Sequence, residues 1–211
     1  MTKILQSLME SPAAIATLDL PQLRQHLLDL FCQRAYQEGD FLLSSGQRSS
    51  YYINGKQVTL HPQGCLAVGR ILLSLLPTDT QAVAGLTLGA DPIVTAVSLV
   101  AAYDGRSLPP LIIRKEPKGH GTRAYIEGLA LPEGTLVTVL EDVVTTGKSA
   151  LQAADRLQQA GYQVNGVLAL VDRQQGGAEL YQQRGLPFQA VFTIADIQRR
   201  WAELSHAPDA V

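Results

Sequence analysis

Cysteine is scarce: Cys32 and Cys65 are the only two in 211 residues, and they form no disulfide framework or metal-ligand pattern. That usage suits a reducing compartment, so a cytoplasmic location is the expectation. Charge is scarce too, at 17% of residues with a net of −2, which excludes the broad basic face of a general nucleic-acid binder. The N-terminus lacks the basic, apolar and small-residue layout of a signal peptide. The one long apolar run, residues 82–103, is broken by Gly85, Gly89, Asp91 and Pro92, so no membrane span is expected. Internal repeats, low-complexity tracts and linkers are absent. What remains is 46% apolar residues, enough for a full core in one domain spanning residues 1–211. Residues 1–18 are weakly patterned and read as a loosely attached arm.

From Asp19 onward the pattern sharpens. Asp19 is placed to cap a helix with Pro21 in its first turn and Leu23, Leu27, Leu30 and Phe31 on one face. Residues 41–59 read as a hairpin turning at Ser44-Ser45-Gly46. A helix is expected over residues 63–76, a buried strand over 82–86, a helix over 92–102 and a strand over 111–115. Residues 116–128 carry no apolar period and read as a long loop, of a length that suggests function. Strands over 164–171 and 188–194 then alternate with helices over 179–184 and 197–204. Such alternation predicts an α/β fold: a mainly parallel central sheet with helices on both faces, plus a small N-terminal hood with a hairpin. Ligands on such sheets bind beyond the carboxyl ends of the strands.

The chain is organised around Val137-Thr138-Val139-Leu140-Glu141-Asp142-Val143-Val144-Thr145-Thr146-Gly147-Lys148-Ser149. It reads as a buried strand, an acidic pair, a hydroxyl- and glycine-rich turn, and a helix with Ala150, Leu151, Ala154 and Leu157 on its apolar face. The free N–H groups and dipole of a helix start favour an anion. Gly147-Lys148-Ser149 matches the end of a Walker A loop, but that motif needs a glycine where Asp142 stands, so a nucleoside triphosphatase is rejected. An acidic pair before a short phosphate loop instead matches the phosphoribosyl pyrophosphate (PRPP) motif. Ribose 5-phosphate needs acceptors for two hydroxyls and donors for a phosphate, and this stretch offers both.

A second cluster is cationic. Residues 106–123 hold five Lys/Arg against one Glu, a local net of +4 in an acidic chain. Arg114, Lys115, Lys118 and His120 sit among glycines without helical spacing. That is a lid suited to neutralising a departing pyrophosphate.

With these residues the chain, from about Leu20 to Leu204, resembles the orotate phosphoribosyltransferases of the type I phosphoribosyltransferase class. The resemblance rests on Phe41-Leu42-Leu43-Ser44-Ser45-Gly46, Ser50-Tyr51-Tyr52-Ile53, the Arg114-Lys115…Lys118…His120 lid, the PRPP motif and Val171-Asp172-Arg173. It implies that Arg114, Lys115, Lys118 and His120 contact the pyrophosphate of PRPP. It further implies that Glu141, Asp142, Val143, Val144, Thr145, Thr146, Gly147, Lys148 and Ser149 hold its ribose and 5-phosphate. Thr145 and Arg173 would then hold orotate, with Tyr52 and Ile53 presenting backbone groups to the base. Lys118 and Asp142 are the expected catalytic pair. Mg²⁺ is expected to arrive mainly through PRPP rather than on dedicated protein ligands. A homodimer whose lids are exchanged between subunits is also implied. Two positions depart from the family: Ser44 and Gly89 stand where members often have lysine, while Lys56 and Lys148 are near in sequence. The alternatives are a PRPP-binding regulator without catalysis, or a transferase for another base.

Overall fold

The computed structural model describes residues 12–42, 48–118 and 125–206. Helix α1 (Pro12–Thr17) lies in the stretch that reads as a loose arm, yet Ile15 is wholly buried. Arg70 also donates to the Ile15 and Ala16 carbonyls at 3.3 and 3.0 Å. One apolar anchor and two carbonyl bonds fasten residues 12–17, with too little periodicity to show in the sequence. Asp19 caps α2 (Leu20–Leu30) as expected. It accepts from the Gln22 N–H at 2.8 Å, and Gln22 Oε1 accepts from the Asp19 N–H at 3.2 Å.

A π-helical turn, Phe31–Ala35, leads into the antiparallel hairpin of β1 (Tyr36–Leu42) and β2 (Arg48–Ile53). The expected hairpin is present, but β1 begins at Tyr36 rather than Phe41. Its Ser44-Ser45-Gly46 turn lies outside the described residues. A short turn α3 (Lys56–Thr59) follows, then α4 (Pro62–Leu75), started by proline.

The main sheet begins with β3 (Ala82–Leu86), where a five-residue apolar run is buried on both sides. Next come α5 (Asp91–Tyr103), β4 (Pro110–Ile113), β5 (Ile126–Glu127), β6 (Leu136–Val144) and α6 (Lys148–Gln159). The chain continues through β7 (Gln163–Asp172), α7 (Gly177–Gln183), β8 (Phe188–Thr193) and α8 (Ile194–Ser205). Strand order is β5-β4-β3-β6-β7-β8, all parallel except β5, which pairs antiparallel with β4. β5 is a correction to the reading of residues 116–128 as loop throughout. Two residues are too few to carry a pattern, and their pairing is set by the neighbouring strand.

Alternation along the strands divides the core in two. Val83, Leu140, Leu168 and Leu170 face α4 and α5 in one cluster. Ala82, Ala84, Val137, Val139, Val167 and Ala169 face α6 and Tyr181 of α7 in the other. Helices therefore cover both faces. Sheet order reverses between β3 and β6, so their carboxyl ends flank the crevice where such sheets bind ligands.

Candidate active site

β6 does not stop before the acidic pair. The sequence pattern puts Glu141 and Asp142 after the strand, but the ladder with β7 runs on through Glu141↔Ala169 and Val144↔Asp172. Burial explains the difference: Glu141 and Asp142 are 6% and 9% exposed, so the backbone there needs its ladder bonds. The chain then turns through Thr145, Thr146 and Gly147 into α6. Gly147 has φ +78°, and a β-carbon there would also lie 3.0 Å from the Tyr181 ring. Both facts demand glycine. No side chain caps α6, so its first N–H groups are open to an anion. A cavity of about 80 Å³ lies here, lined by Glu141, residues 143–149 and Tyr181.

A larger cavity, about 300 Å³, opens between the ends of β3 and β6. Lys56, Thr87, Leu88, Gly89, Lys115, Glu141, Asp142 and Ser149 are among its walls. Burial, and next the charge of Asp142, push the Glu141 carboxyl well above the usual carboxylate range. Its Oε2 is buried without a hydrogen-bond partner. Asp142 accepts from the Val143 N–H at 2.9 Å, and Lys56 Nζ stands 4.0 Å from its other oxygen. The loop after β3 contains a cis Thr87–Leu88 peptide and is tied by Thr87 Oγ1, which donates to Asp91 at 2.8 Å.

The lid cations are not gathered in this cavity. Lys115 lines it, but Arg114 and Lys118 both meet Glu127 Oε1, at 3.0 and 3.4 Å. The bond from Arg114, then the charge of Lys118, hold the Glu127 carboxyl below its ordinary value. The two stems of the loop are joined by the Arg114 N–H, which donates to the Tyr125 carbonyl at 2.8 Å. Arg156 of α6 donates to the Arg114 and Lys115 carbonyls and lies over the Tyr125 ring, 4.0 Å from its centroid. His120 lies outside the described residues, as does Ser44.

Arg173 follows β7 and reaches the hairpin. Its Nε donates to Tyr51 Oη at 3.1 Å, while Nη2 is buried without a partner. Tyr52 and Ile53 continue β2 beside it, with Tyr52 exposed and Ile53 half-buried. Beyond them, Gly55 packs on Asp142, where a β-carbon would meet that side chain at 3.1 Å. The segment 51–56 thus touches both Arg173 and the acidic pair.

Over 206 residues, 98% of this chain and 100% of the relative, the sequence is 70% identical to the orotate phosphoribosyltransferase of Nostoc sp.. The chain belongs to the orotate phosphoribosyltransferase family. No protein-family model matches it. Among solved structures, an orotate phosphoribosyltransferase of Mycobacterium tuberculosis superposes with a TM-score of 0.75 at 38% identity, covering 83% of this chain and 98% of that one. The same enzyme in complex with PRPP gives 0.70 at 34%, covering 83% and 99%. The expected fold and family both stand.

Several residues had no role in the sequence reading. The sequence pattern marks no role for Glu127 or Tyr181, and Tyr51 stands in it only within the Ser50-Tyr51-Tyr52-Ile53 motif. Alternation in β2 offered a signal for Tyr51, since an exposed Tyr52 implies an inward neighbour. Nothing in the sequence pointed to Glu127.

Proposed function

We propose that the β3/β6 crevice is where this chain carries out its family's reaction. A phosphoribosyl group passes from PRPP to N1 of orotate, giving orotidine 5′-monophosphate and pyrophosphate in pyrimidine biosynthesis. The observation that carries the assignment is Arg173 Nη2, buried and unpaired on a residue whose N–H donates to the Val144 carbonyl at 2.9 Å, where residues 143–149 begin. A guanidinium so placed suits the carboxylate that distinguishes orotate from uracil.

In this reading residues 143–149 hold the 5-phosphate, and Glu141 and Asp142 accept from the ribose hydroxyls. Thr145 and Arg173 hold orotate, against the backbone of Tyr52 and Ile53. Arg114, Lys115, Lys118 and His120 bind pyrophosphate, with Lys118 and Asp142 the catalytic residues. The transition state carries oxocarbenium character at the ribose C1, so catalysis comes from orienting two substrates and stabilising a departing anion. Lys118 stabilises that anion, which requires exchange of its Glu127 contact for the pyrophosphate. Exclusion of water protects the electrophilic sugar.

The donor set fits a divalent cation carried by its substrate. Glu141 leaves a buried oxygen free beside Asp142, and both line the crevice. When bound with its substrate, Mg²⁺ would lie by Glu141 and Asp142 and would offset the charge of the departing pyrophosphate.

We further propose a cytoplasmic homodimer in which each lid serves the partner's site. Tyr103 and Leu99 on α5 support an interface, being large apolar side chains 85% and 57% exposed. Among the described residues no helix is long and apolar enough to cross a membrane.

The test is PRPP consumption with orotate, uracil or hypoxanthine as acceptor. Consumption with orotate alone is the expected result. Turnover with uracil would leave Arg173 without its substrate, and turnover with hypoxanthine would assign another base.

A further inference from the structure

We infer that Tyr51 is a positioning residue for orotate: its hydroxyl holds the Arg173 guanidinium by Nε and leaves Nη2 turned to the substrate carboxylate. The inference rests on the reading that Arg173 binds orotate, and it names what sets that arginine's aim.

Three observations support it. Arg173 Nε donates to Tyr51 Oη at 3.1 Å, and the guanidinium carbon stands 4.8 Å from the Tyr51 ring centroid. One side chain thus supplies both an acceptor and a ring face, which fix the fork in two directions. Nη2 is left buried and unpaired, a costly state unless a ligand completes it.

Tyr51 is itself fixed. It is buried and stacks on Tyr36 with centroids 5.9 Å apart, and Tyr36 meets Trp201 edge-on at 5.5 Å. The loop carrying Arg173 is also tied down. Asp172 Oδ1 accepts from the Gln174 N–H at 2.8 Å, and Gln174 has φ +55°. That left-handed residue lets both Arg173 and Gln175 reach one phenol, with Gln175 Nε2 at 3.4 Å from Tyr51 Oη.

A long arginine at the end of a strand samples many rotamers, and holding it before the substrate arrives removes that cost from binding. The contact joins residues 122 apart in sequence, so the aim of Arg173 is set by the hairpin rather than by its own strand.

The experiment compares Tyr51→Phe, Arg173→Ala and the double variant. Phenylalanine keeps the ring face and the stack on Tyr36 and removes only the hydroxyl. KM for orotate is expected to rise roughly tenfold in Tyr51→Phe, as for loss of a hydrogen bond to a charged group. KM for PRPP, kcat and Tm are expected to stay at the wild-type values. In the double variant, KM for orotate should match that of Arg173→Ala alone, because both changes remove the same interaction.

If Arg173→Ala leaves KM for orotate unchanged, the reading of Arg173 falls and this inference with it. If Arg173→Ala raises it and Tyr51→Phe does not, Arg173 keeps its role and the positioning role of Tyr51 is overturned. Equal rises in both KM values, a lower Tm, or additive effects in the double variant would each overturn it as well.

Discussion

Gly89 lies against Asp142 so closely that a β-carbon on residue 89 would stand 2.7 Å from Oδ1 and 3.0 Å from Cγ. A β-carbon on Gly55 would meet the same side chain at 3.1 Å. A side chain at position 89 would therefore require this loop or this carboxylate to be arranged differently. Lys56 Nζ, 4.0 Å from Oδ2, places a cation beside this carboxylate.

Gly89→Ala tests that relationship. The atoms in the way end a side chain rather than belong to the backbone, so Asp142 gives way and the fold does not. KM for PRPP is expected to rise about tenfold, the cost of a displaced hydrogen bond to a charged acceptor. Tm should move by less than about 3 °C. Steady-state kinetics and a thermal melt check both. A large loss of Tm with normal kinetics would mean that the loop, not the carboxylate, absorbs the clash.

Burial of Glu141 makes a prediction about pH. Its folded-state pKa is raised, chiefly by burial and next by Asp142. Below the ordinary carboxylate value, about 4.3, both folded and unfolded chains hold the proton and nothing is lost. As pH rises past that value the unfolded chain releases its proton while the folded one retains it. Stability therefore falls with pH until the folded-state pKa is passed. Glu141→Gln removes this loss. The variant should melt above wild type, by a margin that is small near about pH 4 and larger near about pH 8. Its kcat/KM for PRPP should drop at least about tenfold, since an acceptor for ribose is weakened. A margin that does not change with pH would show that burial of this carboxylate has no cost.

Lys118 is exposed, and the half-buried Glu127 lies 3.4 Å from it. Such a pair contributes little to stability. Lys118→Ala should therefore leave Tm unchanged while lowering kcat by about 100-fold or more, as for loss of a charge aimed at the transition state. An unaltered kcat would remove Lys118 from catalysis. A lower Tm would assign it to the stem of the loop.

Much of the fold was legible because local chemistry and tertiary structure agree. Residues 82–86 form an unbroken apolar run and are buried on both faces, and Asp19 before a helix with Pro21 in its first turn is the cap found. Where the reading failed, tertiary pairing overrode local pattern. Two carboxylates read as the end of a strand, but β7 carries the ladder past them to Val144. Ile126 and Glu127 become a strand only because β4 offers an edge. For the site, contiguous parts were visible, since residues 141–149 are a single stretch. Contacts between distant stretches were not. Tyr51 with Arg173 and Glu127 with Lys118 depend on the folded arrangement, which no spacing encodes.

The shared-site dimer is tested by mixing two inactive variants, Lys118→Ala and Asp142→Asn. Lys118 lies on the lid stem and Asp142 in the crevice, so if each lid serves the partner's crevice a mixed dimer contains one complete site. In that site the intact PRPP motif of one chain meets the intact lid of the other. Random association makes about half of the dimers mixed, each with one working site of two, so about a quarter of wild-type activity should return. If each lid serves its own crevice, every site in every dimer carries one lesion and the mixture stays inactive. Exchange of subunits is verified separately, with a mass difference or a pair of fluorophores. With exchange shown and no activity regained, the lid belongs to its own chain, and the two-fold assembly would have no part in completing the site.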